Sequence, residues 1–293
     1  MSEEPFLAHR GLLFTIAYEM LGSAADAEDV VQETWLRWDA IGADGRANVR
    51  HPRAFLVRMV TRKTIDRLRA NARRREDYVG EWLPEPLLTT PDLAEDVELA
   101  ESVSIAMLTV LETLTPTERA VFVLHEVFET PYGEIAETLG KTPAAVRQIA
   151  HRAREHVAAR RPRMEVGRAE QKQVVERFVA AVTEGDLQGL LDVLAPDVVL
   201  VADGGGVAQA VINPVIGAKK VANLLKPFTR LAPGAGILPV VLNGALGARI
   251  VGTADGFDTA VSFVVEGGRI SRIYAVRNPA KLSKLDVEAT ITR

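Results

Sequence analysis

Two stretches carry side chains whose chemistry suits nucleic acid. In PYGEIAETLGKTPAAVRQIAHRAREHV, positions 131–157, Arg147, Gln148, His151, Arg152 and Arg154 share one face of a helical pattern, and Val146, Ile149, Ala150 and Ala153 share the other. Arg and Gln early on such a helix match purine edges in the major groove, where one good bidentate contact discriminates by ~1 to 3 kcal/mol. The second stretch, Arg46 to Arg75, sets Arg46, Arg50, Arg53, Arg58, Arg62, Lys63, Arg67, Arg69, Arg73, Arg74 and Arg75 against Asp66 alone. That imbalance exceeds what ion pairing along a helix can use, and it points to phosphate binding with strong salt dependence. A solvated basic face is the competing reading. Upstream, Asp26, Asp29, Gln32 and Glu33 line one side of a helix. Acids repel DNA, so this face fits a basic protein surface or plain solvent.

These residues need helices to position them. Leu12, Leu13, Ile16, Ala17 and Met20 form one apolar face, and Val30, Val31, Thr34, Trp35 and Trp38 another. Ser23, three residues before Asp26, marks a helix start, and Pro52 suits the first turn of AFLVRMVTRKTIDRLRANARRR. Thr115-Pro116-Thr117-Glu118 has the capping-box pattern. Ile135, Ala136 and Leu139 pack a short helix, Gly140 permits a tight turn, and Thr142-Pro143 opens the next helix, which together make a helix-turn-helix. After Arg163 two helices, 171–183 and 187–194, precede the β-rich runs VVLVAD, ILPVVLNG, ARIVGTA, TAVSFVVEGG and RISRIYAV. These predict a mainly antiparallel sheet packed on helices, an α+β domain.

Length and composition set the bounds. A chain of 293 residues, 47% hydrophobic, supports two or three domains with cores. The net charge of -4 hides a division: +3 over 1–75, -9 over 76–102, and +1 over each of 103–163 and 164–293. The acidic stretch, with Pro84, Pro86 and Pro91, reads as a linker with at most a short helix near its end. The absence of Cys excludes disulfides and thiolate metal sites and fits a reducing compartment. Residues 1–10 lack a signal-peptide pattern and no run is long enough to span a membrane, so a cytoplasmic location is expected, with no cofactor or metal.

AYEMLGSAADAEDVVQETWLRW with HPRAFLVRMVTRKTIDRLRANARRR resembles region two of sigma-70 factors, and LTPTERAVFVLHEVFETPYGEIAETLGKTPAAVRQIAHRAR resembles region four. The pair is joined as in extracytoplasmic-function sigma factors. WLPEP at 82–86, DGGG at 203–206 and NPAKL at 278–282 resemble the signatures of the group with a fused SnoaL-like domain, except that Ala280 stands where that motif usually has Asp. The resemblance implies two all-α helical domains, 1–75 and 103–163, followed by an α+β SnoaL-like cone-shaped domain at 164–282 and a tail at 283–293. It implies core RNA polymerase and promoter DNA as partners and regulation in cis by the last domain. Asp26, Asp29, Gln32 and Glu33 would dock polymerase. Arg58, Arg62, Lys63 and Arg67 would serve the minus-10 element, and Arg147, Gln148, His151, Arg152 and Arg154 the minus-35 element. Trp82, Leu83, Pro84, Glu85 and Pro86 would seat near Asp203, Gly204, Gly205 and Gly206, with Asn278, Pro279, Lys281 and Leu282 as further interdomain residues. Any contact needing an acid at 280 is in doubt.

Alternatives stay open at this level. DGGG could be a plain turn, and the prolines could only stiffen the linker. A catalytic C-terminal domain would have Asp203 as base and Tyr274 as donor, with no third partner, since all five His residues precede it. A small-molecule ligand in the cone of the sheet is a further candidate partner. A one-component helix-turn-helix regulator with a sensor domain explains 131–293 but leaves the first 75 residues without a role. The segment SKLDVEATITR is short and polar, as a flexible tail would be.

Overall fold

The structure, a computed structural model, describes residues 4–90, 93, 96–161, 167–232, 234–252 and 258–292, leaving aside the side chains at 4, 72–76, 168, 229 and 231. Arg73, Arg74 and Arg75 of the basic run, Pro91 of the linker and the last two residues of ARIVGTA therefore lie outside the described part.

The first helices are α1 (Glu4–Leu21), α2 (Ala24–Ala40), α3 (Gly42–Ala47) and α4 (Pro52–Glu76). Gly22, at φ +64°, turns the chain, and Ser23 caps α2 by accepting from the Asp26 amide. Next come α5 (Val97–Ser102), α6 (Ile105–Leu111), α7 (Pro116–Phe122), a π-helical turn at Val123–Val127, α8 (Tyr132–Leu139) and α9 (Pro143–Ala158). The Thr115–Glu118 capping box closes reciprocally, Gly140 ends α8 at φ +64°, and Thr142 caps α9. One apolar core runs without a break from Phe6 in α1 to Val157 in α9, so the two helical regions pack as one body. Arg119, 3% exposed, ties them by donating to the Met20 carbonyl and to Glu112, each at 2.7 Å. Burial lowers its pKa to about 9, which leaves it charged at neutral pH.

The last part holds α10 (Arg168–Glu184), α11 (Leu187–Val193), β1 (Leu194–Asp203), β2 (Val215–Ile216), α12 (Ala218–Leu225), α13 (Phe228–Leu231), β3 (Gly236–Leu242), β4 (Ala245–Val251), β5 (Thr259–Glu266), β6 (Arg269–Val276) and α14 (Pro279–Leu282). The sheet order is β2-β1-β6-β5-β4-β3. All neighbours are antiparallel except β1 and β6, which run parallel. This is the SnoaL-like cone of sheet and helices that the sequence implied. Its strands alternate between two covered faces. Leu200, Val261, Phe263 and Ile273 face the domain's own helices, whereas Ala260, Tyr274 and Val276 pack with Leu83 of the linker and Ile105 of α6. Burial on both sides explains why TAVSFVVE in β5 is a nearly unbroken apolar run.

The linker closes the sheet edge. Edge strand β3 carries Pro239, a residue suited to an edge, and beyond it the Thr89 amide donates to the Val241 carbonyl at 3.0 Å. The expectation of a flexible tail is corrected here. The Ala289 amide donates to the Leu88 carbonyl at 2.8 Å, Ile291 joins the helical core, and the Thr292 amide donates to Thr15 Oγ1 at 3.1 Å. A polar composition concealed the two apolar anchors, Leu285 and Ile291.

Candidate functional site

WLPEP sits where three parts of the molecule meet. Leu83, Pro84, Glu85 and Pro86 are buried and Trp82 is half-buried. The aromatic residue is thus not the deepest anchor. Leu83 is, at 1% exposed, while the Trp82 ring lies against Gly22 and under the Lys281 ammonium, 3.9 Å from the ring centroid.

On one side of WLPEP lies Asp203, fully buried at the end of β1. Its carboxylate accepts from Tyr78 Oη at 2.6 Å, the Leu83 amide at 2.9 Å, Lys281 Nζ at 2.7 Å and the Gly205 amide at 3.0 Å. Lys281 also donates to the Leu83 carbonyl, and Asn278 Nδ2 donates to Tyr78 Oη at 2.8 Å. Burial and the adjoining Asp203 carboxylate push the Tyr78 phenol far above its ordinary pKa, so it stays a donor. The glycines are dictated by crowding: a Cβ on Gly205, at φ +63°, would sit 2.3 Å from Asn278 Nδ2. Ala280 is exposed, and the buried ion pair uses Asp203 and Lys281, so the missing acid at 280 removes nothing from this cluster.

On the other side lies Glu85, 3% exposed. Its Oε2 accepts from Ser23 Oγ at 3.1 Å and from the amides of Ala24 at 2.8 Å and Ala25 at 3.3 Å, at the start of α2. Burial raises its pKa against these bonds, which favour the charged form. Tyr18 Oη donates to the Glu85 carbonyl at 2.7 Å. Asn243, 1% exposed at φ +52°, completes the junction. It donates to Tyr18 Oη at 2.6 Å and the Val103 carbonyl at 2.8 Å, and accepts from the Leu87 amide at 2.9 Å. One side chain thus touches both helical regions and the linker from the tip of the β3–β4 hairpin. Sequence reasoning missed Tyr18, Tyr78 and Asn243. The Asn-Gly pair in ILPVVLNG signals only a type I′ hairpin turn.

The expected DNA- and polymerase-facing residues are elsewhere, and most already have protein partners. Arg62 donates to the carbonyls of Thr138 at 3.0 Å and Glu137 at 3.3 Å, near the negative end of α8, and Arg58 lies 3.5 Å from the Glu137 carboxylate. Lys63 pairs with Glu33 at 2.7 Å, and Arg67 with Asp26 at 2.8 Å, Glu33 at 3.1 Å and Asp29 at 3.4 Å. The acidic face of α2 and the basic face of α4 therefore meet, rather than forming two separate surfaces. Gln32 is exposed. On α9, Arg147, Gln148 and Arg152 are exposed, His151 lies 3.3 Å from Glu155, and Arg154 turns back to Glu126 at 3.2 Å.

Asp203 and Tyr274, the pair a catalytic reading needs, do not line the cavity inside the cone. Tyr274 packs with Leu83 on the opposite face of the sheet. Among the described residues there is no cluster of His, Asp and Glu that could hold a metal, and no helix long and apolar enough to cross a membrane.

Comparison with known proteins accounts for this layout. Sigma-70 region 2 matches residues 6–74, and Sigma-70, region 4 matches residues 104–157. The chain is 39% identical to the ECF RNA polymerase sigma factor SigJ of Mycobacterium tuberculosis over 97% of this chain and 94% of that protein. It is 32% identical to the probable ECF RNA polymerase sigma factor SigI of the same species, over 96% and 94%. The crystal structure of the M. tuberculosis extracytoplasmic function sigma factor SigJ superposes with a TM-score of 0.77 at 35% identity, covering 96% of this chain and 98% of that one. The chain belongs to the extracytoplasmic-function sigma factors of the sigma-70 family. It binds core RNA polymerase and directs promoter recognition and initiation, which gives the first 75 residues the role that a one-component regulator would leave empty.

Proposed function

We propose that the C-terminal domain regulates this sigma factor in cis by holding the linker, and through it the helical body, in an arrangement where the promoter-reading cations are occupied. The observation that supports this is that Arg58, Arg62, Lys63 and Arg67 all engage protein groups. In this reading Asp26, Asp29, Gln32 and Glu33 serve polymerase docking and the four cations serve the minus-10 element. Arg147, Gln148, His151, Arg152 and Arg154 serve the minus-35 element. The regions 1–75, 103–163 and 164–282 act as helical, helix-turn-helix and regulatory units. Polymerase and DNA then compete with the internal pairs of α2, α4 and α8. The exposed pair Arg58–Glu137 is worth only ~0 to 1 kcal/mol, so it exchanges easily once the linker moves. The buried cluster around Asp203 and Glu85 governs whether it moves.

The test is promoter-dependent transcription in vitro with core polymerase. A chain ending at Arg277 keeps the sheet but loses Asn278, Lys281 and the tail. We expect its output to exceed that of the full chain severalfold, and equal or lower output would sink the restraint reading. A chain ending at Arg163 reports whether the domain also assists. The C-terminal domain also takes a small-molecule occupant in this reading, in the cavity of its cone.

A further inference from the structure

The cone encloses a cavity of about 330 Å³ between the sheet and helices α10, α12 and α13. Its walls are mostly aliphatic and aromatic, with Phe178, Leu225, Ile250 and Phe263 among them. The charged side chain of the lining, Arg277, is half-buried and already donates to the Gln209 carbonyl. Thr259 differs. It is 3% exposed, it opens β5 in the cavity wall, and its hydroxyl has no hydrogen-bond partner among the described residues. A buried hydroxyl without a partner is costly, so in a cavity wall it marks the point where a ligand oxygen gains most.

We infer that this cavity binds a small, uncharged, mainly apolar molecule whose single polar oxygen accepts a hydrogen bond from Thr259, and that occupancy acts on the linker through the sheet. The size follows from volume: at ~30 Å³ for one water, the space takes roughly ten non-hydrogen atoms. The lack of charge follows from desolvation. An ion would give up its hydration to a hydrocarbon wall, whereas one carbonyl oxygen gives up far less and recovers it at the Thr259 hydroxyl. Coupling follows from strand register. Across β1, β6 and β5, Ala202 lies beside Ala275 and Ala275 beside Val261, and all three face the cavity. One residue along each strand, Asp203 lies beside Val276 and Val276 beside Ala260. Those three carry the linker: Val276 and Ala260 pack in one cluster with Leu83, and the Asp203 carboxylate accepts from the Leu83 amide at 2.9 Å. Ligand and linker thus bear on opposite faces of the same three strands. The coupling rests on the regulation in cis proposed above, whereas the binding rests on the cavity and Thr259 alone.

The experiment is calorimetric titration of the full chain with 2-octanone, octanoate and octylamine, matched in length, and with toluene, which has no oxygen to offer. The ketone is expected to bind one per chain, roughly tenfold or more tighter than either ion. Thr259→Val keeps the shape of the side chain and removes its hydroxyl, and it should weaken 2-octanone about fivefold while leaving toluene unchanged. Ala248→Phe, which fills the cavity from β4, should abolish both while circular dichroism shows the fold intact. Absence of 2-octanone binding, either ion binding as tightly, an equal affinity for 2-octanone in the Thr259→Val chain, or undiminished binding by the Ala248→Phe chain would overturn the site. Transcription output that does not change with saturating 2-octanone would overturn the coupling and leave the site standing. Failure of the restraint itself is read separately, from the chain ending at Arg277.

Discussion

Two contacts hold the helical body, and they differ in how much water they see. At the linker, Asp203, Lys281, Glu85 and Asn243 are all at least nine-tenths buried, and their polar atoms engage several partners each. Between α4 and α8, Arg58 and Glu137 are 40% and 67% exposed and meet at 3.5 Å. A buried polar group can keep its charge only with its partners in place, so the linker cluster specifies one position for the chain. An exposed pair has water as an equal alternative and specifies little. The first suits a latch, and the second suits a surface that must let go of protein and take up phosphate.

The sharpest way to break the contrast is to strip one partner from each contact. Lys281→Met leaves the Asp203 carboxyl buried without its ion-pair partner, and removal of one member of such a pair destabilises by ~3 to 5 kcal/mol. Chemical denaturation should show that loss, and the double substitution with Asp203→Leu should recover much of it. If Lys281→Met changes stability by under ~1 kcal/mol, the latch is no stronger than a surface contact.

Glu19 is an intermediate case, buried at 1% exposure with Oε1 held by Ser102 Oγ at 2.8 Å and Oε2 without a partner. Burial raises its pKa from 4.5 to about 8. Between those values the folded chain keeps a proton that the unfolded chain has released, so stability falls as pH rises from about 4.5 to 8 and levels off above. Glu19→Gln should remove that fall, leaving the substituted chain more stable by a few kcal/mol at pH 8 and nearly equal at pH 4.5. Thermal unfolding across this range checks it, and parallel pH profiles for the two chains would show that Glu19 is charged when folded.

The smallest effect on stability belongs to Arg62→Gln, expected within ~1 kcal/mol because the side chain is exposed. Its effect on DNA should be clearer: the slope of log affinity against log salt should shrink by about one. An unchanged slope would remove Arg62 from the phosphate contacts.

The helices were legible because their signals are local. Ser23, Pro52, Thr115 and Thr142 mark starts that hydrogen bonding within a turn enforces, and the inward positions Val146, Ile149 and Ala153 follow from the 3.6-residue period. The β-rich runs were legible as strands, but their connections were not. Nothing local shows that β1 lies parallel to β6, because that pairing joins residues some 75 positions apart, or that the two-residue β2 exists, because it pairs with β1 across a loop from Val199 and Leu200 to Val215 and Ile216. The motifs WLPEP, DGGG and NPAKL stood out as resemblances, and their meeting around Asp203 is a tertiary fact. Tyr18, Tyr78 and Asn243 carried no signal at all, since a lone tyrosine or a hairpin asparagine is ordinary until its neighbours are known.

The sequence by itself determined the starts of α2, α4, α7 and α9, which faces are charged, and that a sigma-type DNA reader precedes an α+β domain, since each depends on residues within a few turns of one another, whereas the short helices α3, α12, α13 and α14 were not evident from it. Only the tertiary structure decided that Arg58, Arg62, Lys63 and Arg67 of α4 are spent on α2 and α8, that the WLPEP segment of the acidic linker is buried rather than loose, and that the polar tail anchors on α1. The reason is that charge and burial are settled by what packs opposite a residue, and the groups opposite these lie tens to hundreds of positions away.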